Sequence, residues 1–235
     1  MIDEKVIDNA IEVQNFYLKM YKNVYLRKAS VIAQRMFQKM VYLLIRNGTI
    51  TAADLPNLTD SELIGILRMS EDEGVQAMYR RLRRRELFRE TIVVRPEKFA
   101  KTHHAPGKAV RVFGISPREM SRLVNAPALQ NRNQESLISL EHKIADIVGV
   151  PSDAILAVTV MNAWRFVPKD VAIYSEKGTA GSLKERYPAH FKDMEEVAHA
   201  YAVFRICALE KYRKRVSEPR IAKKIFDAVM SISSK

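Results

Sequence analysis

The sequence predicts an α+β fold: N-terminal long helices, then a mixed region with a small antiparallel sheet, then C-terminal helices. Three observations carry that expectation. Apolar residues recur at three- and four-residue spacing from the start of the chain to Asn47-Gly48. Runs rich in β-branched and aromatic residues, bounded by Pro or Gly, begin only at Leu87. Helical spacing then returns in the last fifth of the chain.

In order, Val6, Ala10, Val13, Tyr17, Met20 and Val24 form one apolar stripe, with Asp3 and Glu4 at its start, where carboxylates favour the helix dipole. A second stripe runs through Ala29, Ala33, Met36, Met40 and Leu43 to the Asn47-Gly48 stop. No Gly or Pro separates them, so one long helix, or two in close succession, is expected over 4–47. Thr59-Asp60-Ser61-Glu62 is a capping box that opens a helix to about Met69. A further helix should follow Gly74 to about Glu86, and a strand should occupy 87–94, closed by Pro96. Lys98 to Val112 reads as loop and possible strand around Pro106-Gly107. Ser116-Pro117 opens a short helix, and 133–148 is helical up to Gly149-Val150-Pro151. Ile155 to Met161 and Val171 to Tyr174 are expected strands, with Gly178-Thr179-Ala180-Gly181 a turn between extended pieces. A long helix is expected over about 189–214 and a last one over about 220–232. The expected division is a helical region at 1–95 and an α+β domain at 96–235.

With 47% apolar and 28% charged residues, 235 residues can bury a real core. No apolar run approaches the roughly 18 residues that span a bilayer, and the N-terminus lacks a signal pattern, so no membrane association is expected. The single cysteine, Cys207, lies in the apolar run 202–209 and is read as a buried structural thiol in a reducing, cytoplasmic compartment. The net charge of +12 implies affinity for anions, whether nucleic acid, nucleotides or acidic lipid, or else a basic surface with no specific role.

None of the five histidines, His103, His104, His142, His190 and His199, precedes an aspartate. His103-His104 reads as a solvated loop pair. Glu196 and His199 are one Glu-x-x-His pair without the second that a carboxylate-bridged metal site needs. Lys177-Gly178-Thr179-Ala180-Gly181-Ser182 lacks Walker spacing. No catalytic or metal-binding residue is therefore assigned. The strongest local signal is Arg80-Arg81-Leu82-Arg83-Arg84-Arg85, followed by Phe88 and Arg89. On a helix Val75, Met78, Tyr79 and Leu82 share an apolar face and Arg81, Arg84 and Arg85 another. Guanidinium forks bind phosphate bidentately; a solvated basic face is the plain alternative. Lys19, Lys22, Arg27 and Lys28 make a second basic patch.

The stretch Phe16-Tyr17-Leu18-x-Met20-Tyr21-x-x-Val24-Tyr25-x-Arg27-Lys28 resembles the segment that follows the catalytic core of HD-domain deoxynucleoside triphosphate triphosphohydrolases. Tyr25 and Lys28 match the family's pattern; Arg27 stands where relatives have histidine, as does Tyr21 in many. The likeness continues at Leu58-Thr59-Asp60 and at Arg85-x-Leu87-Phe88-Arg89, where the family has Arg-x-Leu-Phe-Lys. It is fainter at Ile155, Met161-Asn162 and onward to Phe191. Residues 1–95 carry most of it. The resemblance implies a non-catalytic regulatory and oligomerisation part of an HD-type phosphohydrolase, whose hydrolytic metal site would belong to an HD core before Met1; the chain is then either a domain cut from a longer protein or a natural half without that core. It implies nucleotide contacts at Lys5, Asn9, Tyr25, Arg27, Lys28, Arg85 and Arg89, no cofactor in this chain, and a homo-oligomer. The alternative is an independent nucleic-acid-binding protein.

Overall fold

The computed structural model describes residues 2–101, 109–160, 167, 169–176 and 178–232. In chain order the elements are β1 (Ile2–Asp3), α1 (Ile7–Met20), α2 (Lys28–Arg46), α3 (Asp60–Met69), α4 (Glu73–Arg83), β2 (Arg89–Pro96), α5 (Glu97–Ala100), β3 (Arg111–Ile115), α6 (Pro117–Asn125), α7 (Gln134–Val148), β4 (Ile155–Val160), β5 (Ala172–Ser175), β6 (Gly178–Ser182), α8 (Leu183–Arg186), α9 (Pro188–Tyr201), β7 (Val203–Ala208), α10 (Arg213–Val216) and α11 (Pro219–Ile232). This is the expected α+β fold. His103, His104, Pro106-Gly107, Met161-Asn162 and Lys177 lie outside the described residues.

The chain forms two compact units, each built from two stretches. One comprises Met1–Arg27 with Val160–Val203, the other Lys28–Thr159 with Phe204–Lys235. These units cut across the boundary near residue 95 drawn from the sequence, because strands distant in sequence complete each sheet.

In the first unit, β5 pairs parallel with β1 (Ile2 opposite Ile173) and antiparallel with β6 (Ser175 opposite Gly178). Ile7, Ile173, Leu183, Phe191 and Met194 form its core, and Ile11 and Leu18 pack against them. The expected turn at Gly178–Gly181 is instead strand β6. Gly178 and Gly181 have φ of 110° and 95°, which explains why glycines occupy a paired strand. A Ser182–Glu185 capping box then starts α8.

The expected stripe faces outward for most of its length, with Ala10 and Met20 half-buried. Val6, Val13, Tyr17 and Val24 are all exposed, as is Phe16, while Ile7, Ile11, Gln14 and Leu18 turn to the core side. After α1 the chain makes one π-turn, Tyr21–Tyr25, and α2 follows as a separate helix. The 4–47 segment is thus two helices in close succession.

In the second unit the sheet order is β3-β2-β7-β4, with β2 parallel to β3 and antiparallel to β7. Helices α6, α10 and α11 pack on β2, α11 packs on α7, and α2 carries α3 and α4. Phe113 and Phe226 stack at 4.4 Å between β3 and α11. Expected helix 189–214 is a correction: it stops at Tyr201, and Val203–Ala208 is a strand buried along its whole length. The reason is its central place in the sheet. A strand covered on both faces is apolar without alternation, as a buried helix segment is. Cys207 is fully buried there, and burial pushes its thiol pKa far up.

Two buried charge clusters brace this unit. Arg35, on α2, donates to Ala157 O (3.0 Å), Gln134 Oε1 (2.6 Å) and Glu141 Oε1 (3.0 Å). Lys39, one turn on, reaches Glu141 Oε2 at 2.5 Å, and the Ala157 amide donates to Glu141 Oε1 at 2.9 Å. In the sheet, buried Glu90 accepts from Arg205 Nε at 2.7 Å and faces Lys28 Nζ at 3.4 Å.

Candidate anion-binding surface

The arginine-rich segment closes α4. Asp72 caps the helix by accepting from the Val75 amide at 2.9 Å, and Val75 and Met78 are buried. At the far end the Glu86 amide donates to Arg81 O (2.9 Å) and the Arg85 amide to Leu82 O (3.1 Å). That pair of bonds is a Schellman motif, whose left-handed position is usually glycine. Here it is Arg85, with φ of 58°, the only described non-glycine residue at positive φ. Holding an L-residue there costs roughly 1–2 kcal/mol. Such strain concentrates where a side chain has a task.

Two depressions flank this helix end. The first, about 250 Å³, is lined by Arg81, Glu86, Leu87, Arg89, Glu210 and Lys211, together with Leu209. It mixes charges: Arg89 Nε lies 3.2 Å from Glu210 Oε2, and Arg213 Nη1 lies 3.6 Å from Glu210 Oε1. The second is an open groove of about 420 Å³ lined by Arg68, Tyr79, Arg80, Arg83 and Arg84, with no carboxylate on its walls.

The expected nucleotide contacts fall in both units. In the first, Lys5 is exposed and 3.1 Å from Glu176, and Asn9 and Arg27 are exposed. Tyr25 is half-exposed and ends a ring series in which Tyr17 and Tyr21 lie 4.7 Å apart and Tyr21 and Tyr25 5.1 Å apart. The Tyr17 hydroxyl donates to that of Tyr21 at 3.2 Å. That bond raises the Tyr17 pKa, with burial adding to it. In the second unit, Lys28 is exposed beside Glu90, Arg89 lines the first depression, and Arg85 holds the left-handed turn. Among the described residues, no group of three His, Cys, Asp or Glu side chains is placed to hold a metal.

The family model described as the HD associated region matches residues 17–112. This supports a relation to HD-domain proteins. The matched stretch contains the tyrosine series, Arg27, Lys28, both depressions' α4 arginines, Arg85 and Arg89; Lys5 and Asn9 precede it. No curated protein and no solved structure matches the chain.

Sequence reading missed three features. The Arg35–Lys39–Glu141 cluster had one visible sign: two cations four residues apart on the face that carries Met36 and Met40. Its acid lies a hundred residues on, with nothing local to join them. The Glu90–Arg205 pair was hidden by reading 202–209 as helix. Arg68 stands apart from the α4 cluster in sequence, so only the fold brings it to the groove.

Proposed function

We propose that this chain is the non-catalytic regulatory and oligomerisation part of an HD-type nucleotide phosphohydrolase. The observation that carries the reading is the outward apolar face of α1. Val13 and Phe16 are 68% and 66% exposed, on a helix whose opposite face already fills a core. A contiguous exposed apolar stripe calls for a protein partner, and its second half lies inside the HD-associated match. An HD-type domain is the natural occupant; in its absence, copies of this chain cover one another's stripes. Nucleotide binding through Lys5, Asn9, Tyr25, Arg27, Lys28, Arg85 and Arg89 belongs to the same proposal. The strained Arg85 backbone supports it on the phosphate side. The lone buried thiol accords with a cytoplasmic setting.

Sedimentation velocity tests the first part. At micromolar concentration the chain should sediment above its 26.9 kDa monomer, and Val13→Glu with Phe16→Glu should return it to monomer with unchanged circular dichroism. A parent that is monomeric throughout overturns the stripe as a surface for self-association. Calorimetry with a nucleoside triphosphate tests the second. Arg85→Ala with Arg89→Ala should weaken binding by roughly one to three orders of magnitude, two charge-assisted bonds being lost. Equal binding by the variant removes those residues from the site.

A further inference from the structure

We propose that the groove formed by α3 and α4 is a track for single-stranded nucleic acid, distinct from the nucleotide contacts above. Four of its five lining residues are arginines: Arg68 from the last turn of α3, and Arg80, Arg83 and Arg84 from the end of α4. All four are exposed, and none has a side-chain hydrogen bond or ion pair among the described residues. The groove brings these four cations together at one opening with no carboxylate on its walls. The groove is therefore a local concentration of uncompensated positive charge. Helix dipoles do not account for it, since a helix C-terminus carries only about half a negative charge.

The chemistry narrows the ligand. Guanidinium groups suit oxyanions they can grip bidentately, and phosphate is such an anion. A small phosphate ester would be mostly enclosed in its pocket, whereas this groove is open and cannot wrap one. An open basic channel instead suits a chain that supplies one phosphate after another. Tyr79 is half-buried on the groove wall. It provides a ring on which an unpaired base can stack, and duplex bases are not free to do so. That favours a single strand over a duplex, and over an acidic peptide, which brings no rings to stack.

The test is fluorescence anisotropy with a labelled 20-nucleotide oligothymidylate. Four neutralised phosphates give a salt slope near −2.8, so raising salt from 50 to 200 mM should weaken binding about 50-fold. Arg80→Ala with Arg84→Ala should lower affinity at least ~10-fold and flatten the slope by about 1.4. Lys143→Ala with Lys224→Ala removes the same charge outside the groove and should change affinity by less than about threefold. Tyr79→Ala should weaken binding where Tyr79→Phe does not. Arg85→Ala with Arg89→Ala should leave strand binding within about threefold, which separates this site from the nucleotide site. Three results overturn the proposal. Equal losses in the groove and control variants would mean a diffuse field. Polyglutamate that displaces the strand as well as unlabelled oligothymidylate would mean an acidic protein partner. A duplex bound as tightly as the strand, with no effect at Tyr79, would remove the stacking role.

Discussion

Arg85 sits where the chain's own geometry asks for glycine. Its left-handed backbone closes α4, and its guanidinium is exposed. Arg85→Gly should raise thermal stability, by about 1 kcal/mol from relief of the backbone strain, while it weakens nucleotide binding. Thermal melts beside calorimetry check both; a variant less stable than the parent would show that the side chain supports the fold. Glu141 is the opposite case. It is fully buried and holds both Arg35 and Lys39. Burial draws the Arg35 pKa below its ordinary value, and the Glu141 charge opposes that shift. Glu141→Ala leaves two buried cations unmatched and should cost about 3–5 kcal/mol, measured by urea unfolding. Of these two residues only Arg85 was legible, because it lies in a local cluster. Glu141 is one of three acids on α7, and nothing near it in sequence marks it as the partner of α2.

Local signals served best at helix starts. Thr59–Glu62 and Ser116–Glu119 form complete capping boxes, each anticipated in whole or part from its spacing. Glu62 accepts chiefly from the Thr59 backbone and Glu119 chiefly from the Ser116 side chain, and these bonds lower both carboxyl pKa values below the ordinary 4.5. Their contribution is therefore complete above pH 4.5 and is lost as pH falls through the lowered folded values. Glu62→Gln with Glu119→Gln should flatten the acid side of the stability profile, so that the melting temperature drops less between about pH 6 and pH 3 than in the parent. An unchanged drop would place the acid sensitivity elsewhere. Strands were harder. β2 and β4 announced themselves through β-branched runs, but β7 contains Ala, Cys and Arg and follows a helix without a Gly or Pro break. On α1 the periodicity marks the stripe, and the structure shows most of it facing solvent. An apolar stripe says that a face will be covered, and not by what.

Each unit owns a separate core, and the whole molecule should report this on heating. Phe191 is buried in the first unit and Leu137 in the second. Phe191→Ala and Leu137→Ala should each destabilise by about 2–5 kcal/mol, and calorimetric scans should show each lowering a different part of the transition. A single sharp peak that both variants shift alike would mean one cooperative body. This division was beyond reach from sequence, since no Pro- or Gly-rich linker marks where the chain leaves one unit for the other. Arg27 and Lys28 are neighbours in sequence and belong to different units.

The interleaving has a consequence during synthesis. A ribosome delivers α1 well before the strands and helix that complete its core, which come only with Val160–Val203. At ~5–20 residues per second, the nascent α1 waits on the order of ten seconds with both its apolar faces uncovered. The second unit fares no better, since β7, which lies between β2 and β4, is translated after both of them. Neither half can close before most of the chain has emerged, so this protein should lean on co-translational chaperones more than its size suggests.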